Sequence, residues 1–341
     1  MNAAYVGILQ PGSTSRMRAE CLRALTPEWN WEWIDTDPPM QASARFWRTL
    51  AFRSQRGKAV DRINHVVMAG IGDGRRDLVW IDKAVFLRPS TLQAIRSRTR
   101  RLVHFTPDTA FHSNRSRHFE SAIGLYDLVV TTKSFEVGEY ERRVGAGKTF
   151  LTTQGYDAAV HYPLTADAER KREAVFVGLA EPDRELCIAT LLSAGVPVRL
   201  AGHGWQSFLR KWRANPLLAF EGEEIFGVDY ARVISSSWIG LGLLSKRFPE
   251  MHTTRTFEIP ACGTVLATER TPETSQFFKP EDALFFDGYT DLAHQAKALL
   301  RPENQSLLSG MAAAGRRRVM ADGRDNGSII AAILADPRLG L

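Results

Sequence analysis

The run DLVWIDKAVFLRPSTLQAIRSRTRRLVHFT, residues 77–106, decides the fold class. Its two ends, DLVWID and RLVHFT, are short apolar runs rich in β-branched residues and bounded by turn formers, as buried strands are. Between them PSTLQAIRSRT opens on a Pro-Ser-Thr helix start and continues with apolar residues at helical spacing. Strand, helix, strand implies a parallel sheet.

The same alternation extends in both directions. AYVGILQ, HVVMAGI, YDLVVTT and KTFLTT are further expected strands of the front half. The polar stretch YPLTADAERKREA, 162–174, then separates two series. The second series opens with the strand AVFVG, the helix DRELCIATLLSAG closed by Gly195, and the strand VPVRLAG. The helix VDYARVISSS and the strands WIGLGLL, VLAT and ALFF follow, with two closing helices, YTDLAHQAKALL and NQSLLSGMAAAGRRRVMA. The expected fold is α/β, with two doubly wound parallel-sheet domains of Rossmann-like type. Residues 1–165 form the first and 172–322 the second, and 323–341 form a helix packing back on the first. Ligands in such sheets bind beyond the carboxyl ends of strands, here in the cleft between domains.

Composition excludes several classes. No apolar run approaches the roughly 20 residues that span a bilayer. The N-terminus MNAAYVGILQPGS reads as a first strand rather than a signal peptide. Cys21, Cys187 and Cys262 are scattered, with no CxxC or His/Cys cluster, so no metal site is expected and a reducing cytoplasmic setting is. The net charge of +6 is uneven: residues 1–160 carry +7 and 161–341 carry −1. A basic front half suits a solvated surface, an anionic acceptor or a membrane surface. The densest cluster, RSRTRR at 96–101, lacks interleaved aromatics, so specific nucleic-acid binding is not expected.

Three loops leave expected strand ends with chemistry to offer. QPGSTSRMR, 10–18, supplies Gly12, Ser13 and Arg16 just before a helix, and helix N-termini attract phosphate. It is neither GxGxxG nor a Walker loop, and a capped strand-to-helix turn fits equally. VHFTPDTAFH places His104, Asp108 and His112 around a proline turn, where His104 or Asp108 could act as general base or Asp108 merely cap a helix. LAGHGW sets Gly202 beside His203, permitting close backbone approach to a ligand.

The stretch PEMHTTRTFEIPACGTVLATE, 249–269, is richer. Glu250 and Glu258 are eight apart, but three other glutamate pairs in the chain share that spacing. Context carries more. Thr253 or Thr254 starts a helix on which Arg255 and Glu258 share a face. Arg255 and the helix start favour a diphosphate, and Glu258 suits a ribose diol. A simple Arg255–Glu258 surface pair is the plainer reading.

RTFEIPACGTVLATE resembles the signature of the CgeB/YkvP-like glycosyltransferases, in the group-1 superfamily with the GT-B fold. DLVWIDK, the run from YDLVVTT through VHYPL, and AVFVGLAEPDRELCIATLLSAGVPVRLAGHGW are also similar to that family, the last with Gly178 and Arg184 in the expected places. The resemblance implies sugar transfer from a nucleotide-sugar donor on the C-terminal domain to an acceptor on the N-terminal domain. It implies no metal and no cofactor, the nucleotide-sugar being a co-substrate. Glu258 then holds the ribose, Arg255 stands near the diphosphate, and Glu250 lies close to the donor sugar. MHTTRT replaces the Gly-Phe-Gly turn of related retaining enzymes, so side chains of Thr253, Thr254 and Arg255 would stand in for backbone amides. Lys246 and Arg184 are further phosphate partners, whose charge stabilises the leaving nucleoside diphosphate. Domain closure, with loops 222–224 and 246–251 moving, would exclude water. Retention is open; for inversion, Asp108 or His104 is the base. A GT-B nucleotide-sugar epimerase and a non-catalytic nucleotide-sugar-binding or morphogenetic protein are the alternatives. The expected location is cytoplasmic, peripheral at the inner membrane surface, with an anionic or membrane-associated acceptor.

Overall fold

The computed structural model describes residues 1–83 and 85–341. It divides into two compact units, Met1–Thr153 with Asn326–Leu341, and Gln154–Asp325.

The first unit holds six strands: β1 (Asn2–Gly7), β2 (Asn30–Asp35), β3 (Arg76–Asp82), β4 (Thr99–Thr106), β5 (Leu128–Thr131) and β6 (Thr149–Leu151). They form one parallel sheet in the order β2-β1-β3-β4-β5-β6. Helices cover both faces, so the central strands are apolar without alternation. In β3, Leu78, Val79, Trp80 and Ile81 are all fully buried. Val79 and Ile81 join one core with Ala4 and Val6. Leu78 and Trp80 join the other with Ala3 and Tyr5. Helix Asn326–Leu334 enters that second core through Ile329, Ile330 and Ile333, beside Ala19 and Leu22.

One expected strand is corrected. HVVMAGI is the second half of helix Lys58–Ile71. Val60, Ile63, Val67 and Ile71, spaced three or four apart, are among its buried residues. A run this short and largely apolar hides that period; it emerges only when the residues before it are included. The sheet contains instead NWEWID as β2, an edge strand in which Ile34 alone is buried.

A buried ion pair sits where β3 ends. Arg18 Nε and Nη2 donate to the two Asp82 oxygens at 2.7 and 3.0 Å. The Tyr5 hydroxyl adds a bond to Asp82 Oδ2 at 2.8 Å. Burial first, and then Asp82, push the Tyr5 hydroxyl far above the ordinary tyrosine value.

The second unit repeats the pattern with β7 (Lys171–Val177), β8 (Val198–Ala201), β9 (Leu218–Phe220), β10 (Ser237–Leu241), β11 (Val265–Glu269) and β12 (Leu284–Phe286). The parallel order is β12-β11-β10-β7-β8-β9. The division between units falls at 153/154, upstream of the polar stretch at 162–174. Residues 154–165 belong with the second unit because the Leu164 and Thr165 amides donate to Ser235 Oγ at 2.8 and 3.1 Å. Tyr156 is also part of that unit's core.

Removing one partner of a buried pair leaves the other charge uncompensated. Arg18→Ala should therefore destabilise the first unit by about 3–5 kcal/mol in urea unfolding. Tyr5→Phe, which keeps the pair and loses one bond to a charged group, should cost less, about 1.5–3 kcal/mol.

Candidate functional site

In each sheet the strand order reverses once, between β1 and β3 and between β7 and β10. At such a point the flanking connections leave on opposite faces, opening a crevice beyond the strand ends.

The second unit's crevice is built on close backbone packing. Gly202 has φ +121°, and a Cβ there would lie 2.2 Å from the Gly178 carbonyl oxygen. That carbonyl also accepts from Trp205 Nε1 at 2.8 Å. The Ala180 amide donates to His203 O at 2.9 Å, zipping the two loops together. A Cβ on Gly178 would meet Phe176 at 2.9 Å and Arg255 Nη1 at 3.4 Å.

Two guanidinium groups converge on the Phe176 ring, Arg184 with Cζ at 5.6 Å and Arg255 with Cζ at 5.4 Å from its centroid. Arg184 is 6% exposed. The Nε atoms of both arginines are buried and have no hydrogen-bond partner among the described residues. Burial and then Arg255 pull the Arg184 guanidinium below the ordinary arginine value, against Glu181 and Glu250. Arg184 Nη1 reaches Glu181 Oε1 and the Leu179 carbonyl, each at 3.0 Å. Arg255 Nη2 donates to Leu243 O at 3.3 Å. Ser245 links the acidic partners: its hydroxyl donates to Glu181 Oε2 at 3.0 Å and its amide to Glu250 Oε2 at 2.9 Å. The result is a cationic pocket with two N–H groups held without an acceptor, the arrangement that receives an anion.

Arg255 and Glu258 lie on helix Arg255–Ala261. They engage different partners rather than each other. Glu258 is 6% exposed and accepts from the Tyr230 hydroxyl at 2.8 Å. His161 Nδ1 accepts the Asp157 amide at 2.9 Å, which leaves the proton on Nε2, 3.9 Å from Glu258 Oε1. Burial, then Glu258, raise the Tyr230 hydroxyl far above its usual value, so it stays a donor. The Tyr230 bond orients Glu258, which keeps further lone pairs for a ligand.

The remaining expected residues of this unit take other places. Thr254 precedes the helix without a side-chain cap bond. Thr253 is buried, its amide accepted by Thr256 Oγ1 at 3.0 Å and its own hydroxyl without a partner. Lys246 pairs with Glu269. His203 is half exposed and faces Glu223, with Nδ1 at 3.1 Å. Phe176, Tyr230, His161, Glu181 and Ser245 went unmarked in the sequence, since nothing local ties them to the motif.

At the β1/β3 reversal the first unit has a cavity of about 480 Å³. Ile8, Met40, Phe52, Lys83, His104 and Asp108 are on its wall. His104 is buried in that wall. Its ring stacks on Phe119 at 4.3 Å and donates from Nε2 to Lys83 O at 3.1 Å. Nδ1 is sealed from solvent without a partner. Burial, opposed by the Lys83 carbonyl and Asp82, holds the imidazole down at about 4.

Asp108 pairs with Lys83 Nζ at 2.5 Å, each 36% exposed. Burial would raise its pKa, but Lys83, Lys133 and Arg18 together lower it. Lys83 itself has a left-handed backbone, φ +60°, uncommon for a side-chain-bearing residue and typical of functional sites. The loop that carries Asp108 is held by Glu136, which accepts from the Ala110 and Phe111 amides and from His112 Nδ1, at 2.8–2.9 Å. The 10–18 loop is a capped turn. Gly12 has φ +79°, Ser13 Oγ accepts from the Arg16 amide at 3.2 Å, and Arg16 pairs with Glu20 at 2.9 Å.

Among the described residues, no group of three or more His, Cys, Asp or Glu side chains is placed to hold a metal ion. No described helix is long and apolar enough to cross a membrane.

Residues 183–333 match the family model described as glycosyl transferase-like. No curated protein is significantly similar to the chain in sequence. In three dimensions it is similar to Anabaena HepE solved with UDP-glucose, at TM-score 0.63 and 13% identity over 98% of this chain and 99% of that one. A glycosyltransferase of Rickettsia africae superposes at TM-score 0.64 and 11% identity, over 98% and 96% of the two chains. The pneumococcal O-GlcNAc transferase GtfA, solved with UDP and GlcNAc, does so at 0.55 and 13%, over 82% and 60%. At these identities the likeness is one of fold: two six-stranded parallel sheets flanked by helices, as in GT-B glycosyltransferases.

Two outcomes follow from the geometry. His104 is neutral when folded down to about pH 4 and has an ordinary value near 6.5 when unfolded. Its contribution, about 3 kcal/mol, is therefore full above pH ~6.5 and lost as pH falls to ~4. His104→Phe should flatten that part of the stability–pH profile. Gly202→Ala should destabilise the second unit by roughly 2–4 kcal/mol in thermal or urea unfolding, since its Cβ meets backbone.

Proposed function

We propose that this chain is a glycosyltransferase of the CgeB/YkvP-like kind. It takes a uridine-diphosphate sugar on Gln154–Asp325 and an acceptor in the cavity of the first unit, and it needs no resident metal. The observation that carries the reading is the pair of guanidinium groups against Phe176, each with a buried N–H lacking an acceptor. The glycosyl transferase-like match over 183–333 and the likeness to HepE and GtfA, solved with UDP or a UDP-sugar, support it.

In this reading Arg184 and Arg255 bind the diphosphate and stabilise its charge as the glycosidic bond breaks. Glu258, aligned by the Tyr230 hydroxyl, accepts from the ribose hydroxyls. Glu250, beside Arg184, lies at the donor sugar. Asp108 is kept ionised by Lys83, so it is a weak base and a good acceptor for a substrate hydroxyl. Transfer then proceeds with retention, and basic side chains supply the charge a metal provides elsewhere. A cavity in the first unit favours transfer over epimerisation, which uses the donor alone.

The test is turnover of UDP-glucose and UDP-N-acetylglucosamine with and without candidate acceptors. Nucleotide release should require or rise with acceptor, and the product should keep the donor's anomeric configuration by NMR. Arg255→Gln should weaken donor binding about 10- to 100-fold, the loss of a charged hydrogen bond. Asp108→Asn should raise the acceptor KM more than it lowers kcat. Interconversion of the sugar nucleotide without acceptor would overturn transfer, and binding without turnover of any donor would overturn catalysis.

A further inference from the structure

The two most exposed large apolar side chains among the described residues lie on one helix. Phe46 and Phe52, on helix Arg45–Ser54, are 67% and 69% exposed. The inner face of the helix packs through Trp47, Leu50 and Ala51, of which Ala51 is fully buried. Its outer face, at helical spacing, presents Arg45, Phe46, Thr49, Phe52 and Arg53 to solvent.

The charges on this face are not neutralised. Arg45 and Arg53 form no ion pair among the described residues, and neither do Arg56 and Lys58 just beyond the helix. A second depression, of about 470 Å³, opens beside Phe52 and is walled by Arg53, Arg115 and Arg117. Gln55 ties its two sides together, its side chain donating to Arg115 O at 2.7 Å and accepting from the Arg117 amide at 2.8 Å. Of these arginines only Arg115 is paired, with Glu120. Exposed phenyl groups interleaved with arginines that form no ion pair among the described residues, beside a depression lined by guanidinium groups, fit a surface that is apolar below and anionic above.

We infer that helix Arg45–Ser54 and residues 115–117 dock on an anionic lipid bilayer. The phenyl rings enter the acyl boundary, and the arginines meet lipid phosphates. The uneven charge of the chain, +7 in residues 1–160, is the long-range part of the same attraction. An acidic protein partner would use the arginines but not require two phenyl rings about two thirds exposed. The inference is independent of the transferase reading. It adds to it in one respect: the helix also walls the larger cavity, through Arg45, Arg48, Thr49 and Phe52, so a molecule anchored in that bilayer reaches the cavity at its mouth.

The experiment is co-sedimentation of the full chain with vesicles of phosphatidylcholine containing phosphatidylglycerol, and with phosphatidylcholine alone. Binding should occur on the anionic vesicles, fall steeply between low and 0.5 M salt, roughly, and be at least tenfold weaker on the neutral ones. Phe46→Ser and Arg53→Glu should each weaken it about fivefold or more, with unchanged melting temperature and unchanged UDP affinity. Arg210→Glu, on an exposed position of the other unit, should change it less than twofold. Failure to bind anionic vesicles, wild-type binding by the Phe46→Ser and Arg53→Glu double variant, or an equal loss with Arg210→Glu would overturn the inference.

Discussion

Arg184 and Arg255 stand against one phenyl ring with buried N–H groups that none of the described residues accepts. Like charges brought together out of water raise the free energy of the folded state, and Glu181 and Glu250 offset it only in part. An anion on the pocket relieves both costs at once. The surrounding features serve that placement. The β7/β10 reversal opens the crevice, Gly178 and Gly202 bring two loops into backbone contact, and Ser245 ties Glu181 and Glu250 together beside the guanidinium groups.

The first unit applies the same topology to a different end. Its reversal point is walled by apolar side chains and the Lys83–Asp108 pair, with Arg45 and Arg48 also on the wall. The Arg18–Asp82–Tyr5 network fixes the end of β3 directly beneath. Lys83 leaves that strand with a left-handed backbone, so the position of its ammonium group is set by the strand and not by a flexible loop. One chain thus carries an anion pocket in one sheet and a largely apolar cavity in the other, chemistry suited to a charged donor and an amphipathic acceptor.

Much of this was legible in the sequence where signals were local. β3, its following helix and β4 announce themselves through long apolar runs and a Pro-Ser-Thr start. HVVMAGI misleads because so short a largely apolar run carries no readable period, and β2 and β9 are edge strands too short or too polar to stand out. In the site, Gly178, Arg184, Gly202, Arg255 and Glu258 could be picked out from motifs. Phe176, Tyr230 and His161 could not, because only the fold brings β7, helix Gly227–Ser235 and the 157–161 turn to that helix. His104 looked like a base because its burial comes from Phe119 and Tyr126, which belong to other segments.

The central claim is that the Phe176 pocket recognises a diphosphate. Titration calorimetry of the full chain with UDP and with uridine, at matched ionic strength, tests it most directly. Two charged contacts to phosphate predict that UDP binds at least about 100-fold more tightly than uridine. Equal affinities, or no heat with UDP, would contradict it.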